Sequence, residues 1–154
     1  MENLQTGATF SLSIKEGIPL VKINVKYLDL TFARALTEIL KQAAAQTIEK
    51  ITAHQAVEKT TANQATLLDF KDVTYIDSVI ISTIVKHFVD QRNKGRRLVI
   101  FNTGKLIDDL LETTRLKDIL DITEEMDQGI ALAKQPLTDK ELSTYGRKNN
   151  ETVT

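Results

Sequence analysis

The sequence predicts an α/β fold: a mixed sheet of about five strands, mostly parallel with an antiparallel hairpin at its N-terminal edge, covered by about four helices. Three observations predict it. Two segments of alternating polarity, Phe10 to Ile14 and Leu20 to Val25, flank Gly17 and Pro19, as in a hairpin. Short apolar runs at Leu67 to Phe70 and Arg97 to Phe101 read as buried strands. Between the strands lie segments of helical period, long enough to cross from one parallel strand to the next.

The elements follow in order. Phe10, Leu12 and Ile14 alternate with Ser11, Ser13 and Lys15, and the Glu16-Gly17-Ile18-Pro19 connection returns the chain. Asp29 or Thr31 can cap a helix carrying Phe32, Ala35, Leu36, Ile39, Leu40 and Ala43 on one face. Residues 44–65 contain Ile48, Ile51 and Val57 as their larger apolar residues and no Gly or Pro, so they read as an extension of that helix or a second one. Leu67 to Phe70 forms the central strand, with Val73 to Ile76 as its continuation. Val79, Ile80, Ile84 and Val85 then restart the apolar pattern at helical spacing, to about Asn93. Lys94-Gly95-Arg96 stops this helix, and a strand at Arg97 to Phe101 follows. A helix over roughly Lys105 to Thr114, a last strand at Ile119 to Ile122 and a short helix at Gly129 to Lys134 complete the domain. Residues 1–134 are thus one domain; 135–154 have almost no apolar periodicity and read as a flexible tail. No internal repeat stands out.

Composition narrows the function. A chain of 154 residues is long enough to bury roughly 68 to 70 % of its unfolded surface, so a core needs no covalent staple. Without cysteine it has no disulfide, thiol nucleophile or thiolate metal site, and a cytoplasmic setting is the default expectation. Twenty basic and 21 acidic residues give a net charge of −1, and aromatic residues are few, so nucleic acid is not an expected partner. No apolar run approaches the roughly 20 residues that span a bilayer, so no membrane association is expected. The glycines at 95, 104 and 129 are isolated, which argues against a phosphate-cradling loop and any nucleotide cofactor.

The chemistry concentrates at Asp77-Ser78, where an apolar run ends and a helix begins. Ser and Asp are common N-caps because their oxygens accept amide hydrogens of the first turn. The same place suits a regulatory hydroxyl, since a phosphate on Ser78 adds about 1.5 to 2 negative charges beside Asp77. Catalysis is not expected. His87 lies nine positions further along the same helix, about 13 Å by helical rise, too far to activate Ser78. Asp29, Asp69, Asp72 and Asp77 are explained as caps and turn residues, so no metal is expected either.

Leu67 to Ser78, LLDFKDVTYIDS, resembles the central strand, turn and Asp-Ser acceptor motif of the STAS family, specifically its small bacterial anti-sigma factor antagonists. Lys26 to Ala33, KYLDLTFA, resembles the segment that opens the family's first helix, and RRLVIFNTGKLIDDLLETTRLKDIL its fourth strand and third helix. The resemblance implies that the α/β sheet is STAS-like. It also implies a binding switch: the unphosphorylated domain captures an anti-sigma factor that is also a serine kinase, phosphorylation of Ser78 releases it, and a serine phosphatase resets it. Partner contacts are implied at Asp29, Asp77, Val79, Ile80 and Ser82. Two small family residues after the acceptor are replaced by Ile80 and Ser82, the glycine of the first segment by Lys26, and the connection before the central strand is about a dozen residues longer. These departures keep open an alternative, a STAS subunit of a larger complex that is never phosphorylated.

Overall fold

The computed structural model describes residues 2–6, 9–53 and 65–142. Strands β1 (Glu2–Thr6), β2 (Phe10–Lys15) and β3 (Ile18–Ile23) form an antiparallel meander. The β2–β3 turn is tighter than the four residues expected, because Lys15 pairs directly with Ile18. Only Glu16 and Gly17 are left in the turn, both at positive φ (52° and 81°), the backbone of a two-residue hairpin turn that matches strand twist.

After β3 come β4 (Tyr27–Leu28), a 3-10 turn at Leu30–Phe32 and α1 (Ala33–Ala53). The long first helix absorbs the start of the expected insertion at 44–65; residues 54–64, including His54, lie outside the described residues. The chain continues through β5 (Ala65–Asp69), β6 (Tyr75–Ile76), α2 (Ser78–Asn93) and β7 (Arg97–Phe101). Then follow α3 (Lys105–Thr113), a 3-10 turn at Leu116–Asp118, β8 (Asp121–Ile122), α4 (Met126–Ala133) and α5 (Asp139–Leu142).

Among the described residues the main sheet has six strands in the order β1-β2-β3-β5-β7-β8, with every pairing from β3 onward parallel. The added strand, β1, gives no sequence signal because Glu-Asn-Leu-Gln-Thr does not alternate; backbone pairing to β2 defines it. The expected continuation of the central strand at Val73 to Ile76 is corrected. Tyr75 and Ile76 instead pair in parallel with Tyr27 and Leu28, as a separate two-stranded ladder past the C-terminal ends of β3 and β5.

β5 and β7 are buried along their whole length, as expected of parallel strands covered on both faces. One face carries Leu12, Val21, Leu68, Leu98 and Ile100 against α1, α2 and α3. The other carries Leu20, Leu67, Val99 and Phe101 against Ile130 and Ala133 of α4. α2 ends in a Schellman arrangement: Arg96 N–H donates to Gln91 O at 2.8 Å and Gly95 N–H to Arg92 O at 3.0 Å, with Gly95 at φ 78°. At the start of the segment expected to be a tail, Asp139–Leu142 form α5 beside α2.

Candidate functional site

The β4–β6 ladder builds the site. Tyr27 pairs with Tyr75 and Leu28 with Ile76, so the register carries Asp29 alongside Asp77. Side chains alternate along a strand, which places the tyrosines on the side opposite the buried Leu28 and Ile76. The tyrosine rings lie with centroids 6.5 Å apart, tilted by 53°. The ladder is tied in by the Lys26 carbonyl, which accepts Thr74 N–H at 2.9 Å and Tyr75 N–H at 3.2 Å. Lys26 is not among the residues at positive φ, so this position does not demand the glycine of the resembled family.

Each aspartate caps a helical start. Asp29 accepts the amide of Thr31 at 3.0 Å and also its hydroxyl, and these bonds hold the Asp29 carboxyl below the usual carboxylate range. Asp77 caps α2 by accepting Ile80 N–H on Oδ1 at 2.9 Å, while its Oδ2 accepts Leu30 N–H at 2.7 Å. Asp69 and Asp72 have other partners: Asp69 accepts Lys71 N–H and the Asn102 amide, and Asp72 pairs with Lys22.

Ser78 is the first residue of α2 and is exposed. Next to it in the helix, or tied to the Asp77 stretch by the β4–β6 ladder and the Leu30 N–H bond, are large apolar side chains that the domain leaves in solvent: Tyr27 at 64 % exposure, Leu30 at 59 %, Tyr75 at 48 % and Val79 at 42 %. Ser82 is exposed four residues beyond Ser78, on the same helix face. Ile80 corrects the expected contact set. It is fully buried with Ile84 and Phe88 in the larger core, because helical phase turns it inward. Sequence reasoning misses Tyr27, Leu30 and Tyr75. Their signal is the repeated phrase Tyr27-Leu28-Asp29 and Tyr75-Ile76-Asp77, each copy preceding a helical start.

His87 lies elsewhere, buried in α2 among the core helices. Burial pushes its pKa down to about 4, with Lys94, Lys41 and Arg96 adding to the effect and Asp90 opposing it. It takes no part in the Ser78 site.

A profile of the STAS domain matches residues 43–129, more than half of the chain. The chain belongs to the STAS family. Solved structures with this STAS architecture include an anti-sigma factor antagonist from Mycobacterium paratuberculosis, at 13 % identity and a TM-score of 0.60, covering 81 % of this chain and 92 % of that one. An anti-sigma-factor antagonist (STAS) domain protein from Planctomyces limnophilus matches at 11 % identity and a TM-score of 0.60, covering 82 % and 98 %. The anti-sigma factor antagonist SpoIIAA in its unphosphorylated form matches at 7 % identity and a TM-score of 0.53, covering 80 % and 94 %. At these identities the likeness shows the STAS fold alone. No curated protein sequence matches. No helix among the described residues is long and apolar enough to cross a membrane.

Proposed function

We propose that this STAS domain is a partner-switching regulator of the anti-sigma factor antagonist type. Unphosphorylated, it binds an anti-sigma factor that is also a serine kinase; phosphorylation of Ser78 releases that partner, and a serine phosphatase restores binding. The observation that carries the reading is the setting of Ser78: an exposed hydroxyl at a helix start, beside Asp77, which is joined through the β4–β6 ladder and the Asp77–Leu30 hydrogen bond to the exposed side chains of Tyr27, Leu30 and Tyr75, with exposed Val79 next in the helix.

That setting suits a switch. Apolar rings left in water favour a protein partner, since covering them removes apolar surface at roughly 25 cal/mol per Å². A phosphate on Ser78 would bring about two negative charges next to Asp77, into a place a docked partner would dry, so binding weakens. Asp29, Asp77, Val79 and Ser82 remain proposed contacts, and Tyr27, Leu30 and Tyr75 join them. The solved antagonist structures of this fold support the reading, as does the match of Ser78 to the family's acceptor position. The buried position of Ile80 also removes one objection, because its bulk fills the core instead of standing where a partner approaches.

Phosphosite mapping on protein from its native cells, combined with co-purification of Ser78→Ala and Ser78→Asp variants, tests the proposal. Phosphate on Ser78, retained partner with Ser78→Ala and lost partner with Ser78→Asp are expected. A partner held equally by wild type and Ser78→Asp overturns the switch and favours a constitutive STAS subunit.

A further inference from the structure

The end of α2 remote from Ser78 carries a second arrangement that the switch does not use. Arg97, the first residue of β7, is only 4 % exposed, and all three nitrogens of its guanidinium donate. Nε donates to Gln135 O at 2.9 Å, Nη1 to Asp121 Oδ2 at 3.0 Å and Glu141 Oε2 at 3.2 Å, and Nη2 to Glu141 Oε1 at 2.9 Å and Pro136 O at 3.2 Å. Four of these five bonds go to residues 135–141. Arg92, also 4 % exposed, stacks over the Phe88 ring at 4.6 Å and shares Asp121 Oδ2 with Arg97 at 3.0 Å. Its Nε is buried with no acceptor among the described residues.

Little apolar burial fastens this segment. α5 contributes no buried side chain, and Leu142 is exposed. Ionic and hydrogen bonds hold it instead, four of them to the one side chain of Arg97. Lifting the segment away would uncover the Arg97 donors and leave the two guanidiniums sharing a single carboxylate, that of Asp121. The freed Arg97 donors would then face solvent at a net-positive pair of guanidiniums, a place that favours an anion. The fork of Arg97 fits a planar carboxylate held through both oxygens, as Glu141 is held, and Arg92 adds a second positive charge through the shared Asp121.

We propose that Arg92 and Arg97 form a carboxylate-binding site at the start of β7, which the chain fills with its own Glu141, and that residues 135–142 are a detachable strap. The strap can then leave without unfolding the sheet, and a carboxylate from outside can take its place. The site lies about 21 Å from Ser78 by helical rise, so it stands or falls separately from the phosphorylation switch.

Amide hydrogen exchange of the full-length Glu141→Ala variant tests this. Exchange at residues 138–142 is expected to accelerate on the order of tenfold or more, with β5 and β7 unchanged. Sodium formate, against sodium chloride and inorganic phosphate at equal ionic strength, is expected to perturb the Arg92 and Arg97 Nε–H resonances of the variant and leave those of wild type unmoved. Unchanged strap exchange, or equal acceleration in β5 and β7, overturns the detachable strap. A formate response no larger than that of chloride overturns the site, and a response to phosphate alone overturns its assignment to carboxylates. Arg97→Lys, which keeps the charge and loses the fork, provides the second variant and is expected to free the strap without a formate response.

Discussion

Asp77 Oδ2 accepts the backbone N–H of Leu30 at 2.7 Å while Oδ1 of the same carboxylate caps α2 at Ile80. One side chain thus joins the start of the helix carrying Ser78 to the start of the 3-10 turn carrying Leu30, across 47 residues of sequence. The candidate surface has a fixed shape because these two starts are held together.

Asp77→Ala is expected to cost about 1 to 2 kcal/mol, since a helix cap and a second amide lose their acceptor together. Asp77→Asn keeps one oxygen and should lose less. Urea denaturation of both variants measures the difference; equal stability of Asp77→Ala and wild type would show that the link is not used.

Neighbouring residues of α2 should separate binding from folding. Val79→Glu places charge on the exposed patch and is expected to change stability by less than about 0.5 kcal/mol while abolishing partner capture. Ile80→Ala removes a fully buried side chain and should cost about 2 to 5 kcal/mol. Denaturation midpoints together with pull-down assays read both effects, and a loss of stability in Val79→Glu matching that of Ile80→Ala would contradict the assigned helix faces.

His87 makes stability depend on pH. Its folded pKa of about 4 lies below its ordinary value of 6.5, so between these values the unfolded chain binds the proton that the native protein refuses. Stability is complete above about pH 6.5 and falls as the pH drops toward 4, by at most about 3 kcal/mol from this residue. A His87→Phe variant should show a flatter stability curve across that window; an identical slope in variant and wild type would remove His87 as the cause.

Gly95 is expected to resist substitution for a backbone reason. No atom stands within 4 Å of where a Cβ would lie at this position, so Gly95→Ala meets no clash, yet φ 78° is unfavourable for alanine by about 1 kcal/mol. Thermal unfolding should show a correspondingly small drop in midpoint, and an increase would mean that the turn relaxes to negative φ.

Much of the architecture is legible in the sequence because local and tertiary demands agree. The β2–β3 alternation, the apolar runs of β5 and β7 and the Asp77 cap each suffice to place their elements. The ladder of Tyr75 with Tyr27 is not legible, since two-residue strands carry no period and their pairing joins positions far apart in sequence. Ile80 is a different case, a contact expected from resemblance against a readable signal: Ile80, Ile84 and Phe88 follow helical spacing on the core face. The strap at 135–142 gives no apolar pattern because Arg97, a distant polar residue, holds it.

The paired phrases Tyr27-Leu28-Asp29 and Tyr75-Ile76-Asp77 run in the same direction, so the two halves of the surface are related by translation, about 4.8 Å along the hydrogen-bonding direction. A binder reading only tyrosine and aspartate would meet two equivalent seats displaced by one strand. The residue after each aspartate, Leu30 in one half and Ser78 in the other, breaks that degeneracy. Ser78 therefore labels which seat is which even before any phosphate is attached.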